Sequence, residues 1–302
     1  MTTVQFIVAP GAHLLDLSGP AQAFSEAASL GFDYELRYAG DSARVASAQN
    51  LTVCLDPEPA PLRPDDLVIV PGWDSGFPGA GALSDRLLGT IRDHHAAGGT
   101  VASVCAGADA LGRAGVLDGR RFTTHHALQD TFAGRYPAAT MVRDVLFVTD
   151  GNVATSAGIT SGIDLALHLL AIRHGQATAA RIARAMVVYA RRNGGEAQLS
   201  AMLEHRSHLD ELVHRVQDTI DAALDEPLTL AQLARRCLVS PRTLTRHFVA
   251  ATGMTPQAYR QRARLERAEK LIAAGTGMES AARAVGFADA RMLRRLRAKA
   301  GG

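Results

Sequence analysis

The stretch that most constrains this chain is TVASV (100–104), which delivers Cys105 and runs at once into the small residues and helical pattern of AGADALGRAG. A short apolar run with no polar alternation reads as a strand buried on both faces, as in a parallel sheet. Small residues directly after it let a helix start without a loop. The same alternation recurs on either side. VQFIVAP (4–10), DYELRYAG (33–40) and DLVIVPG (66–72) read as strands. GPAQAFSEAASL (19–30, with Gly31 as its C-terminal stop), LSDRLLGTIRDHHAAGG (83–99) and TSGIDLALHLLAIRHG (160–175, capped by Thr160 or Ser161) read as helices. VLFVTDGNVATSAG (145–158) reads as a hairpin turning on Asp150-Gly151. Residues 1–195 are therefore expected to form a doubly wound α/β domain. Ligands of such domains bind beyond the carboxyl ends of the strands, where Cys105 and Pro71-Gly72-Trp73 both stand.

A thiol at the start of a helix has its thiolate favoured by the helix dipole and by free N–H groups. On that reading Cys105 has a depressed pKa and outpaces the other cysteines toward alkylating agents. The N–H groups of Ala106 and of Gly72 or Trp73 would then line an anion pocket. The competing reading is a cysteine that simply fills a core position as a small apolar residue.

Charge divides the chain. From Glu226 onward 15 Lys and Arg stand against 5 Asp and Glu, a net of +10, while residues 1–225 carry 17 against 25, a net of −8. A basic segment on an acidic body points to a polyanionic partner, or else to a solvated basic face. The 3 cysteines form no CxxC pattern and no even framework, so no metal, cofactor or disulfide is expected and a reducing cytoplasm is the compartment implied. No apolar run approaches the ~20 residues of a membrane span.

HLDELVHRVQDTIDAALDEP (208–227) reads as an amphipathic helix presenting Leu209, Leu212, Val213, Val216 and Ile220, placed after a linker at 195–210. Residues 196–225 are thus a linker and connecting helix, and 226–302 a second, all-α domain. In it LTLAQLARRCLVSPRTLTRHF reads as two short helices about a tight turn. Thr229 caps the first, and Ser240 with Pro241 opens the second. Leu230, Leu233, Ala234, Leu244 and Phe248 have core spacing, leaving Arg242, Thr245 and Arg246 on another face. That is helix-turn-helix logic, in which the second helix enters the major groove. ARLERAEKLIAAG (263–275) reads as a connecting helix. SAARAVGFADARMLRRLRAKAGG (280–302) then repeats the unit, offset by 48 and then 49 residues, with Arg291, Arg294 and Arg295 on the equivalent face.

Two resemblances sharpen this. SVCAGADALGRAGVLDGRRFTTHHAL, with LLDLSGPAQAF, VIVPGW, FVTDGNVATSAGITSGIDLALHLL and VVYARRNGGEAQLSAML, resembles the PfpI-like, glutamine-amidotransferase-like superfamily of flavodoxin-like fold. More narrowly it is similar to the branch fused to AraC-type DNA-binding domains. The resemblance implies that Cys105 occupies the nucleophile position, with Asp16 as its acidic neighbour and His125 as the histidine some twenty residues on. LDLSGP is close to the LDLTGP of isocyanide hydratases. Read locally, Asp16 and His125 are also ordinary helix-capping residues. His126, Trp73 and Asp109 depart from the usual pattern. TLAQLARRCLVSPRTLTRHFVAATGMTPQAYRQRARLERAEKLI and AARAVGFAD resemble the AraC/XylS family, which implies that Arg242, Thr245, Arg246, Arg291, Arg294 and Arg295 read DNA. Leu238 stands where that family has Gly, and Arg297 where it has a buried Phe. The second unit is also shorter at its C-terminus, so it is expected to pack poorly. Together the resemblances imply a regulator that binds a double-stranded operator as a homodimer and senses an unknown small molecule in a retained cysteine pocket. A cysteine-dependent hydratase or hydrolase, and a DNA-binding protein whose first domain only dimerises, are the alternatives.

Overall fold

The computed structural model describes residues 1–188, 192–196, 198, 205–206, 208–273 and 275–300. Half of the linker read at 195–210, and parts of VVYARRNGGEAQLSAML, lie outside the described residues. The chain forms two compact units, Met1–Gln198 and Leu199–Gly302.

The first unit is built on a six-stranded sheet of order β2-β1-β5-β6-β10-β9. Its strands are β1 (Thr2–Ile7), β2 (Tyr34–Ala39), β5 (Leu67–Val70), β6 (Thr100–Val104), β9 (Phe147–Asp150) and β10 (Val153–Ser156). Two small ribbons lie outside it, β3 (Arg44–Ala46) with β4 (Thr52–Cys54) and β7 (Arg121–Phe122) with β8 (Thr140–Met141). All pairings in the large sheet are parallel except β10 with β9, which form the hairpin at one edge. The helices are α1 (Leu14–Ser29), α2 (Asp85–Ala96), α3 (Ala108–Arg113), α4 (Gln129–Arg135), α5 (Ser161–His174) and α6 (Gln176–Ala185). Strand side chains alternate between two cores. Val4, Phe6, Ala102 and Val104 pack with Phe24, Leu167, Leu170 and Ile182. Ile7, Val68, Val70 and Val101 pack with Leu87, Ile91, Leu111 and Phe122. Each fully buried Phe or Leu contributes about 1.5–3 kcal/mol, which is why the central strands are predominantly apolar on both faces.

Two details differ from the sequence reading. Helix α1 starts at Leu14, five residues before the predicted Gly19, and Pro20 is accommodated inside it. The hairpin closes on the pair Asp150–Val153, so its two-residue turn is Gly151-Asn152 rather than Asp150-Gly151. Asp150 instead accepts a hydrogen bond from the Arg121 N–H at 2.9 Å, a tertiary contact that spacing does not reveal.

The second unit holds α7 (Glu211–Ala222), α8 (Leu230–Arg236), α9 (Pro241–Thr252), α10 (Pro256–Ala273), α11 (Met278–Ala284) and α12 (Ala290–Ala300). Val213, Val216 and Ile220 of α7 are buried with Leu233, Ala234, Leu244, Phe248 and Tyr259 in one core. Ala268, Ala282, Val285, Phe287, Ala290 and Leu293 form another. Thr229 and Gln232 make a reciprocal capping box on α8, and Ser240 caps α9 with Pro241 in its first turn. Leu209 is 98% exposed because α7 begins only after its cap, Asp210. Leu230, 39% exposed, likewise falls outside the core at the first position of α8. The connecting helix α10 starts at Pro256, one helical stretch earlier than predicted.

The poor packing expected of the second helix-turn-helix unit is not observed over its described residues. Arg297 turns outward and pairs with Glu269 of α10 at 3.5 Å, so its charge is not buried. Leu293 fills the place equivalent to Leu244, 49 residues on, and both are almost wholly buried. Leu238 adopts φ +58 in the first turn and is 93% exposed, a left-handed backbone that costs a leucine about 1–2 kcal/mol.

Candidate functional site

Four adjacent elements meet at the carboxyl end of the sheet. Strand β6 delivers Cys105, which has φ +55 and opens a one-turn 3₁₀ segment, Cys105–Gly107, ahead of the six-residue α3. A non-glycine residue held there is a strained elbow costing about 1–3 kcal/mol. The loop after β5 brings Gly72 and Trp73, the turn after β1 brings Asp16 in the first turn of α1, and the loop after β10 brings Gly158 and Ile159. The elements are stitched by His13 N–H donating to the Gly72 carbonyl (2.9 Å) and by an Ala12–Trp73 bridge. The close approach requires glycine. A Cβ on Gly72 would lie 2.6 Å from both Asp16 Oδ2 and Cys105 Cβ, and one on Gly158 would lie 2.3 Å from Cys105 Cβ.

Asp16 is wholly buried and does not cap its helix; His13 holds that position. Its Oδ1 accepts the Ile159 N–H at 2.7 Å. Its Oδ2 is buried beside Gly72 and Cys105 and makes no hydrogen bond of normal geometry. Burial pushes the carboxyl up to about 6, against the pull of the Ile159 N–H, the charge of His13, the Gly72 N–H and the thiol. Cys105 is 5% exposed. Burial first, and then the charge of Asp16, push its thiol up to about 12, with the Ala106 N–H pulling the other way. The expectation of a depressed thiol pKa is thereby reversed. The helix after Cys105 is too short to supply a strong dipole, the Gly72 N–H serves the carboxylate, and the Ala106 N–H alone does not offset burial and the Asp16 charge.

His125 caps a short 3₁₀ turn, its Nδ1 accepting the Ala127 N–H at 3.3 Å, and its ring lies 4.2 Å from that of His126. Burial, then His126 and His13, lower its pKa. Among the described residues no hydrogen bond joins it to Cys105 or Asp16. Trp73 is nearly buried, its indole covering Gly81. Asp109 turns from the elbow to accept Tyr136 Oη at 2.6 Å and to pair with Arg135.

The residue reading missed the supports of the elbow. Thr124 Oγ1 donates to the Cys105 carbonyl at 2.8 Å, and Gln198 Nε2 donates to the Thr124 carbonyl at 2.9 Å. Arg192 pairs with the buried Asp164 at 2.6 Å and donates to Thr160 Oγ1 at 2.9 Å. The only signal for these was the quoted motif, since partners 74 residues apart share no periodicity.

In the second unit Arg242 and Arg246 are exposed one turn apart on α9, opposite Leu244 and Phe248. Thr245 is half-buried and its Oγ1 donates to the Pro241 carbonyl. On α12, Arg291, Arg294 and Arg295 are exposed. Arg291 is tethered to Asp289 at 3.0 Å, and Arg295 donates to Met292 Sδ at 3.0 Å.

Residues 2–172 match the DJ-1/PfpI family, and residues 233–300 match a helix-turn-helix domain family. The chain is 30% identical over 232 residues to the HTH-type transcriptional regulator CdhR of Pseudomonas aeruginosa, spanning 77% of this chain and 68% of that protein. It is 34% identical over 174 residues to isonitrile hydratase of Pseudomonas putida, 55% of this chain and 69% of that one. The crystal structure of an AraC family transcriptional regulator from Pseudomonas putida superposes with a TM-score of 0.54 at 22% identity, covering 62% of this chain and 100% of that one, which shows the shared fold. A cysteine elbow and its carboxylate on this sheet define a DJ-1/PfpI domain, and the chain belongs to the DJ-1/PfpI family. Joined to its two helix-turn-helix units, that domain makes it a DNA-binding transcription regulator of the AraC type.

Proposed function

We propose that the first unit is the sensor of this regulator and that the Cys105–Asp16 pair recognises a small-molecule effector, while Arg242 and Arg246, with Arg291, Arg294 and Arg295, read the operator. The observation that carries the sensing reading is the wholly buried Asp16 Oδ2, which makes no hydrogen bond of normal geometry although the Gly72 N–H and a thiol that stays protonated at neutral pH both lie beside it. A buried oxygen so incompletely satisfied costs up to about 1–3 kcal/mol. A ligand donor reaching it would recover that energy and stabilise the liganded form. A thiol pushed up to about 12 supplies little nucleophile before a ligand arrives, which favours recognition over turnover.

The boundaries proposed for these roles are 1–195 for the sensor, 196–225 for the linker and connecting helix, and 226–302 for DNA binding. The protein is proposed to act as a homodimer, the default for regulators of repeated sites. Hydratase-type turnover at Cys105 is the second reading, favoured by the likeness to isonitrile hydratase.

The test is a thermal-shift screen of small amines, betaines, amino acids and aldehydes against the wild type, Cys105→Ala and Asp16→Asn. A ligand at a hundredfold excess over Kd adds about 2.7 kcal/mol of apparent stability. Shifts that vanish in both variants, with matching changes in operator affinity, support sensing. Product formation that depends on Cys105 supports turnover. A shift unaffected by either variant would place the effector elsewhere.

A further inference from the structure

We propose that Arg264 is a positioning residue that sets the rotation of the second helix-turn-helix unit against the first, and so fixes the spacing at which this regulator reads two segments of one duplex.

Helix α10 runs through both cores of the second unit. Tyr259 and Ala263 lie in the first, and Ala268 lies in the second. The helix backbone sets the distance between the units along its axis, but their rotation about that axis depends on side chains. The second core has Ala268, Ala282, Ala290, Val285, Phe287 and Leu293 at its centre, with larger side chains such as Leu265, Ile272 and Leu296 packed around them, and it is separate from the first core. Because the two buried clusters are separate, neither by itself fixes the rotation of one unit against the other. Arg264 stands where the two cores meet. Its Nε donates to the Leu224 carbonyl, and a terminal nitrogen donates to the Glu226 carbonyl at 3.2 Å. Both carbonyls belong to the segment that follows α7, whose Leu224 and Leu228 are part of the first core. The other side of the same guanidinium lies 5.4 Å from the ring centroid of Phe287, in the turn of the second unit. Gly286 closes the joint. A Cβ there would fall 2.4 Å from the Arg264 nitrogen and 2.4 Å from the Asp225 carbonyl oxygen. One turn earlier, Arg260 donates to the Leu228 carbonyl at 2.7 Å and holds the same segment.

A single planar group therefore touches both units, and its plane cannot rotate without losing a hydrogen bond on one side or the ring contact on the other. Lysine has neither the fork nor the stacking face and cannot make this joint. Burial brings Arg264 down to about 10, so it remains a cation at neutral pH. The consequence for recognition is geometric. Two recognition helices on one rigid body meet major-groove segments about one turn, ~34 Å, apart, and one inserted base pair rotates the second segment by roughly a tenth of a turn. A fixed joint penalises that insertion, and a loose joint tolerates it.

The experiment uses full-length protein and duplexes enriched by the wild type from a random-sequence pool, with the two segments located by footprinting. Affinity is measured on the selected duplex, on one with a single base pair inserted between the segments, and on one with the second segment scrambled. The wild type should lose about tenfold on insertion, the scale of one lost base contact. Arg264→Gln, Arg264→Lys and Gly286→Ala should lose less than about threefold on insertion while binding the scrambled duplex as the wild type does. An insertion penalty in the variants equal to that of the wild type would overturn the proposal. So would a uniform loss on all three duplexes in every variant, which would make the joint a requirement of folding. A wild-type footprint confined to one segment would instead overturn two-segment reading itself, and the proposal with it.

Discussion

Replacing Asp16 by Asn should make the stability of the first unit less dependent on pH, and the size of the change follows from the site. Burial raises the Asp16 carboxyl from 3.8 to about 6. Each unit is worth ~1.36 kcal/mol, so the folded protein is destabilised by about 3 kcal/mol once the group is ionised in both states. The sign follows from the order of titration. Below the unfolded value both states are protonated and the term vanishes. As pH rises the unfolded chain ionises first and stability falls, until the folded group ionises near 6 and the loss levels off. Between about pH 4.5 and about pH 7.5 the wild type should therefore lose about 2 kcal/mol that Asp16→Asn does not. The variant keeps the Ile159 hydrogen bond through its Oδ1, but its amide meets the Gly72 N–H. That mismatch costs about 1–2 kcal/mol at every pH and shifts the whole curve without changing its slope. Trp73 is the only tryptophan in the sequence and is nearly buried beside the site, so its fluorescence during urea unfolding reports this unit. A difference between variant and wild type that stayed flat within ~0.5 kcal/mol over that pH range would refute the raised carboxyl.

Cys105 should alkylate more slowly than the exposed Cys54 at neutral pH, and Asp16→Asn should speed it by removing the neighbouring charge; peptide-resolved mass spectrometry that found Cys105 modified first would contradict this. Leu238→Gly should stabilise the second unit by about 0.5–1 kcal/mol, the left-handed cost relieved less the extra chain entropy of glycine, with operator affinity unchanged. Calorimetry showing a loss instead would mean the exposed leucine has a partner. Arg246→Ala should cost about 1–3 kcal/mol on a selected duplex and much less on random duplex; equal losses on both would make it a phosphate contact, with the salt slope falling by about 0.9.

Much of this protein was legible in local pattern. Apolar runs such as LVIV and TVASV identify buried strands because a parallel sheet exposes neither face, and Thr229, Ser240 and Pro241 mark helix starts because capping is a matter of a few adjacent residues. The outward turn of Arg297 was not legible, because the composition of a core says nothing about whether a long side chain can reach Glu269. The chemistry of Cys105 was not legible either. Sequence placed the thiol at a strand end before a helical pattern, which alone favours the thiolate. Only the fold seats Asp16, Gly72 and Gly158 against it and removes water from the group. Desolvation and a neighbouring carboxylate then outweigh one N–H and a six-residue helix. Sequence by itself marked the principal strands and helices, the two families and the candidate residues of each site. Tertiary structure decided their protonation, the supports that hold the elbow, and the arginine contacts between the two helix-turn-helix units, because each depends on groups far apart in the chain meeting where solvent is excluded.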